Sequence, residues 1–504
     1  MYKNIIANLI GRFWSIVSIY LFVPLYIHFL GIKMYGLVSF FATLQVVLLL
    51  LNGGLTTTLR RELSSGPDNF ENTLRKYQLL RSIEFVCCII VFLIILCCYF
   101  SAEFIATSWL NIDGLDIRTV TTTLRLMSIS IALQLLSSLY SGGLLGLEFQ
   151  VKANVLQILW SAVKNIGVIL ILWLIEPEIR LFFLWFVFSD LVYVIALRVY
   201  LMKALGHCRD FIWSIKKIKN LVLIWRFSFG ILIISCISAL NNQLDKIIIS
   251  KYLDISQLGI YNLAYSLSIV PVTIVSAIAV AIFPRFVNYI SNNNDKQLFL
   301  IFKESYKILL ICSSCISVYI SIYSRELLTV WTNDAGISNN AWWAASLLVI
   351  GGLFLSLQII PYNLALAFGN TKINVIFGTI NIVVLAPMLL VSVDLYGIEG
   401  AAISWMSVMI AVTIIYNYCV YIKKIKSGIA NWVICDNILP LVFVAFLAAV
   451  SHKLISLFNL GSLLTIVFAT LSGIITLFLT LYVFYRNLVK SRFRSVVRSI
   501  KLRT

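Results

Sequence analysis

Charge is what this sequence has least of. Of its 504 residues only 12% are Asp, Glu, Lys or Arg, while 61% are hydrophobic. A soluble chain carries roughly 25% charged and about 45–50% apolar residues. No single core can hide so much apolar surface from water, which excludes a soluble enzyme and a disordered scaffold. The motifs that are missing narrow the field further. There is no G-x-x-x-x-G-K-S/T phosphate loop, so this chain does not hydrolyse ATP, and neither H-E-x-x-H nor G-x-S-x-G occurs. The 3 histidines, His28, His207 and His452, lie far apart. No enzyme activity, metal site or cofactor is expected. Apart from Cys208, the 10 cysteines fall in apolar stretches, so no disulfide is expected. Cys312-Ser313-Ser314-Cys315 has C-x-x-C spacing inside such a stretch, where a redox or metal role is disfavoured.

What is present is a series of long apolar runs. A helix needs about 20 mostly apolar residues to cross a hydrocarbon core of about 30 Å, and about fourteen such stretches run from 8–30 to 462–485. The alternation of barrel strands is lacking, and open sheet does not survive in lipid. The expected fold is therefore all-α and polytopic. With the N-terminus inside, most of the 39 Lys and Arg fall on cytoplasmic segments, which places both termini in the cytoplasm. The net charge of +18 is then topological. The basic tail around Arg486, Lys490, Arg492 and Arg494 suits anionic headgroups better than nucleic acid. The first span is too long for a cleavable signal peptide.

The longest cytoplasmic interruption separates two sets of spans. Arg12-Phe13 and Arg226-Phe227 each open a span. Lys152-Ala153-Asn154-Val155 and Lys372-Ile373-Asn374-Val375 each join two. Both pairs are offset by six spans, which implies parallel repeats. The expected organisation is an N-terminal six-helix lobe over 1–205, a linker over 206–225, a second six-helix lobe over 226–425, and two additional helices with a basic tail over 426–504. Ligand would sit between such lobes near mid-membrane. Pro24, Pro271, Pro361, Pro387 and Gly351-Gly352 mark either mobile breaks or static kinks.

A charge at the bilayer centre costs about 2.5–3.5 kcal/mol, so each needs a partner or a wet cavity. Lys164 lies about 15 Å along its span from Asn154, and Asp190 is similarly deep in the next. They suit a structural ion pair or groups facing a cavity, and the two readings are compatible. Arg12 shares a face with Asn8 and Ser15 and faces the cavity or snorkels. Ser228, Ser235, Ser238, Asn242 and Asp245 form one polar stripe, which faces protein or water. Arg12, Lys164 and Asn242 are the candidate substrate contacts. Asp190 and Asp245 are the candidates for ion coupling. Lys246 follows Asp245, but consecutive helix residues diverge by about 100° and need not pair.

Several motifs, in order, resemble Wzx-type polysaccharide flippases of the multidrug/oligosaccharidyl-lipid/polysaccharide exporter superfamily. They are Phe29-Leu30-Gly31-Ile32-Lys33-Met34-Tyr35-Gly36-Leu37, Asn52-Gly53-Gly54-Leu55, Ser141-Gly142-Gly143-Leu144-Leu145-Gly146-Leu147, Gln243-Leu244-Asp245-Lys246 with Leu258-Gly259-Ile260-Tyr261, and Tyr396-Gly397-Ile398-Glu399-Gly400-Ala401-Ala402. Glu148-Phe149 stands where the family often has Gln-Arg, so no role is assigned there. The resemblance implies two six-helix bundles around a cationic cavity, with two further helices. It also implies translocation of undecaprenyl-diphosphate-linked repeat units across the bacterial inner membrane. Membrane lipids, and polymerase and chain-length proteins of the same pathway, are the implied partners. A cation-coupled drug antiporter is disfavoured because the first two spans lack Asp and Glu. A glycan polymerase is disfavoured because no large external loop is present. The topology has a direct test: Gly114→Cys should react with an impermeant thiol reagent from outside, and Lys217→Cys only after permeabilisation.

Overall fold

The chain is helical because in lipid only intra-segment hydrogen bonds satisfy every backbone group. The computed structural model describes residues 2–49, 53–64, 70–205, 219–369, 371–425 and 437–501. In chain order the helices are α1 (Tyr2–Leu49), α2 (Gly53–Leu63), α3 (Phe70–Phe104), α4 (Ile117–Gly146), α5 (Gln150–Leu174), α6 (Ile179–Leu205) and α7 (Lys219–Tyr252). They continue with α8 (Ile255–Ser291), α9 (Asp295–Ile322), α10 (Ser324–Thr332), α11 (Ala335–Ala367), α12 (Thr371–Ile425), α13 (Leu439–Ser456) and α14 (Ser462–Lys501). Among the described residues 11 helical stretches are long and apolar enough to cross a membrane. Two of them, Val17–Leu49 and Lys372–Val420, each turn within an apparently continuous helix. The turns are at Gly31 (φ 77°) and Gly397 (φ 58°). Both torsions lie in the left-handed region that glycine alone enters cheaply. With these bends and α7, the number of crossings agrees with the sequence reading.

The prolines behave differently. Pro24, Pro271, Pro361 and Pro387 all lie inside helices, so none of them ends its helix. Gly351 and Gly352 are also inside α11. A β-carbon at Gly352 would lie 2.2 Å from the Ser268 carbonyl oxygen, and one at Gly351 2.5 Å from the Trp405 ring. These glycines permit close helix contact.

The helices group into two compact units, Met1–Gly259 and Ile260–Thr504. In the first, α4 is the central helix and packs on α2, α3 and α6. Gly142 and Gly146 let α2 approach it: β-carbons there would lie 2.4 Å from Thr56 Cγ2 and 2.6 Å from the Arg60 carbonyl oxygen. Asp116 caps α4 by accepting hydrogen bonds from the Thr119 backbone N–H (2.9 Å) and hydroxyl (2.8 Å). Those bonds hold its carboxyl below the usual range. The expected linker lies outside the described residues over 206–218. α7 packs on α1 and α2, within the first unit.

The end of the first unit is tied by loops. A π-type turn, Ile105–Trp109, extends α3. Trp109 Nε1 donates to Ser250 Oγ (3.1 Å), and the Ile255 N–H donates to the Asn111 carbonyl (3.0 Å). Beside this tie α1 crosses the start of α8, with Gly36 against Ile255 and Gly259.

In the second unit, α11 packs on α9, α10 and α12, while α13 and α14 pack on each other and on α9. Cys312 and Cys315 line an apolar cleft of about 490 Å³ with Tyr319, Ala469 and Gly473. The Gly36 crossing yields a prediction. A β-carbon there would lie 2.0 Å from the Ile255 carbonyl oxygen, a backbone atom with no rotamer to escape through. Gly36→Ala should lower stability by about 1–3 kcal/mol, read as an earlier thermal transition of the purified protein.

Candidate functional site: buried charges of the first unit

α4, α5 and α6 carry polar side chains toward a common point, Ser130 and Gln134 on α4, Trp160 and Lys164 on α5, and Asp190 on α6. On α6, Asp190 is 1% exposed, and on α5, Lys164 is 6% exposed. Lys164 Nζ donates to both carboxylate oxygens, at 2.8 and 3.0 Å. Trp160 Nε1 donates to Oδ1 at 3.1 Å, and Gln134 Nε2 to Oδ2 at 3.0 Å. Ser130 also donates to Oδ2. Gln45, on the second arm of α1, donates to Gln134. The ammonium lies 4.1 Å from the Phe186 ring centroid and 4.9 Å from that of Trp160. A buried charge is tolerated when it is both paired and hydrogen-bonded, and this pair meets both conditions. Gly167 leaves room for the Trp185 indole, whose Nε1 donates to the Lys164 carbonyl at 3.1 Å. The first of the two sequence readings, a structural ion pair, is thus what the coordinates contain.

The other expected site residues lie elsewhere. Arg12 belongs to α1, but its side chain lies outside the described residues. Asn242 is exposed on α7, and its Nδ2 donates to the Ser238 carbonyl at 2.8 Å. Ser228 of the same stripe also has an undescribed side chain. Asp245 and Lys246 are buried, with Nζ to Oδ1 at 3.7 Å. The 100° divergence of consecutive residues is overcome because Lys246 folds back and donates to the Asn242 carbonyl at 3.1 Å. Asp245 Oδ1 accepts the Lys246 backbone N–H at 2.9 Å.

Sequence reasoning missed a second charged cluster. Glu84 on α3 is 7% exposed. It accepts from Arg198 Nε on α6 (2.7 Å), from Arg81 Nη1 (2.9 Å), and from the Tyr140 hydroxyl on α4. Arg81 Nη2 donates to the Tyr77 hydroxyl at 3.1 Å. The available signal was local: Tyr77, Arg81 and Glu84 follow at intervals of four and three on one helix face. A polar seam also joins α1 to α5, where Tyr26 donates to Asn165 Oδ1 at 2.7 Å.

A family model described as "Polysaccharide biosynthesis protein" matches residues 1–290, the stretch that contains every one of these charges. The chain belongs to that family. A Shigella flexneri protein provisionally named an O-antigen transporter is 29% identical over 190 residues, 36% of this chain and 42% of that protein. The matched stretch therefore spans less than half of that relative. Among solved structures, lipid II flippase MurJ in an inward closed conformation has TM-score 0.71 at 16% identity, covering 97% of this chain and 100% of that one. An inward-facing multidrug resistance MATE family transporter of the MOP superfamily has TM-score 0.70 at 11% identity, covering 82% of this chain and 94% of that one. At such identities the likeness is one of fold. This member of the polysaccharide biosynthesis family is thus a multi-pass membrane protein with a MurJ- and MATE-like helical fold.

The Lys164–Asp190 geometry sets a paired prediction. Removing one partner strands a buried charge, so Lys164→Met should cost about 3–5 kcal/mol. The double variant Lys164→Met with Asp190→Leu should recover most of that loss. Thermal unfolding of the two variants, compared with wild type, checks both.

Proposed function

We propose that this protein carries undecaprenyl-diphosphate-linked oligosaccharide repeat units from the cytoplasmic to the periplasmic leaflet of the bacterial inner membrane by alternating access. The observation that supports this reading best is a polysaccharide-biosynthesis family match on a transporter-like helical fold. The physics asks for such a carrier. A diphosphate and a hydrated glycan cannot enter hydrocarbon without losing their hydrogen bonds. A helical protein can offer fixed cations and amides to the headgroup while the polyprenyl tail stays in lipid. With the cell interior negative, an anion moving outward gains about 2.3 kcal/mol per charge per 100 mV.

Within this proposal the residues divide by role. Arg12 and Asn242 contact substrate, because the spacing of Asn8, Arg12 and Ser15 puts Arg12 with polar residues and Asn242 is exposed on the α7 stripe. Lys164 and Asp190 act as the lock between α4, α5 and α6, since the donor set around Asp190 is already filled. Ion coupling is assigned to Asp245, a buried carboxylate at the end of the α7 polar stripe. Protonation or cation binding at Asp245 would supply the differential affinity between states that alternating access requires.

Two measurements test this. In a deletion strain, lipid-linked repeat units should accumulate on the cytoplasmic leaflet, and wild type should clear them. Clearance by the vector alone, or extrusion of a cationic drug by the purified protein without glycan transport, would overturn the reading. In vesicles with imposed proton, sodium and voltage gradients, Asp245→Asn should lose gradient dependence. Gradient dependence unchanged in Asp245→Asn would remove that residue from coupling.

A further inference from the structure

The Glu84 cluster is more than a tie between helices. One carboxylate faces two guanidiniums, so the group keeps a surplus of one positive charge. Arg198 meets Glu84 through Nε, and its side chain is 45% exposed. Arg81 is 30% exposed, and its Nε has no hydrogen-bond partner. The cations are thus only partly engaged by the acid between them.

Their position is specific. Arg81 precedes the exposed apolar face of α3 formed by Phe85, Ile89 and Phe92, and Arg198 sits on the exposed face of α6 with Leu191, Ile195 and Val199. These faces belong to spanning helices, so their apolar side chains meet acyl chains. α6 has 27 residues, about 40 Å at 1.5 Å per residue, against a hydrocarbon core of about 30 Å. Arg198 is about two turns from the helix end at Leu205. That depth lets its guanidinium reach the headgroup layer by snorkelling. Two cations at headgroup depth above paired apolar faces match the shape of one amphiphile.

We propose that Arg81 and Arg198 together bind the phosphate of an anionic bilayer phospholipid, whose acyl chains lie along the exposed faces of α3 and α6. The paired guanidiniums recognise phosphate by forked hydrogen bonding, and the surplus charge favours an anionic headgroup over a zwitterionic one. Glu84 has two effects here. It fixes both guanidiniums in place, and it weakens the site by partial neutralisation.

The test uses the full chain in nanodiscs holding equal amounts of phosphatidylglycerol and phosphatidylcholine with identical acyl chains. Lipid retained on the purified protein is then quantified by mass spectrometry. Wild type should be enriched in phosphatidylglycerol, and Arg198→Gln and Arg81→Gln should each reduce the enrichment about five-fold. Arg198→Lys should retain part of it. Glu84→Gln, which keeps both guanidiniums and removes the opposing charge, should raise enrichment above wild type. A purely structural cluster, which binds no lipid, predicts no change in enrichment for that variant. Glu84→Gln also keeps the proposal testable should the arginine variants fail to fold. Excess inorganic phosphate should leave the retained lipid in place; its displacement would assign the cations to free phosphate and overturn the lipid site. Equal retention of the two lipids by wild type, or lower enrichment in folded Glu84→Gln, would also overturn it.

Discussion

A carboxylate withdrawn from water must find its donors inside the protein, and where it finds them fixes which helices stay together. Asp190 finds them on α4, α5 and, through Gln134, on α1. The cost of stranding such a group is several kcal/mol, comparable with much of a domain's net stability. Side-chain burial in hydrocarbon gives little preference for one helix packing over another, since lipid tails are as apolar as leucine. The packing order of the first unit therefore depends on polar contacts and on small residues. The Asp190 cluster, the Tyr26–Asn165 seam and the Gly142 and Gly146 contacts supply them.

The same logic appears in the second unit with different chemistry. There Asn417 on α12 donates to the Tyr306 hydroxyl on α9 at 3.2 Å. Tyr306 and Asn417 follow Glu84 and Arg198 at nearly the offset that separates the repeated Lys-x-Asn-Val motifs. A tie between corresponding helices is thus ionic in the first unit and neutral in the second. Asn374 of the second motif accepts from Tyr416 at 2.6 Å, whereas Asn154 of the first donates to the Gln150 carbonyl at 2.9 Å and packs on Gly11. Positions at this offset thus carry polar contacts with different partners in the two units.

Much of this was legible in the residues. Hydropathy and the positive-inside bias describe a membrane bundle, because insertion depends on sums over about 20 residues. The depth of Lys164 and Asp190 brought them together as a possible pair. Their donors were not legible, since Ser130, Gln134 and Trp160 look like ordinary span residues until α4 and α5 are packed. The turns at Gly31 and Gly397 were hidden for a related reason. A left-handed torsion leaves no mark on hydropathy, and the prolines drew attention as the more familiar breakers. Glu84 was overlooked because a charge near the end of a span reads as a flank. The family motifs, by contrast, fall where backbones touch: Gly36 and Gly259 at one crossing, and Gly142 and Gly146 at another.

The distribution of charge bears on how an anionic headgroup can be handled. Lys164 is matched by Asp190, and Lys246 by Asp245, so neither pair creates a cationic field at a distance. The surplus of the Glu84 cluster lies on exposed helix faces. A cationic cavity of the kind the family resemblance implies cannot therefore rest on the deeply buried lysines of the described residues. It requires cations outside those pairs. An arginine suits the task better than a lysine, because its fork remains charged and matches phosphate geometry. A buried pair that holds helices together and a cation free to meet an anion make opposite demands, so one residue cannot serve both.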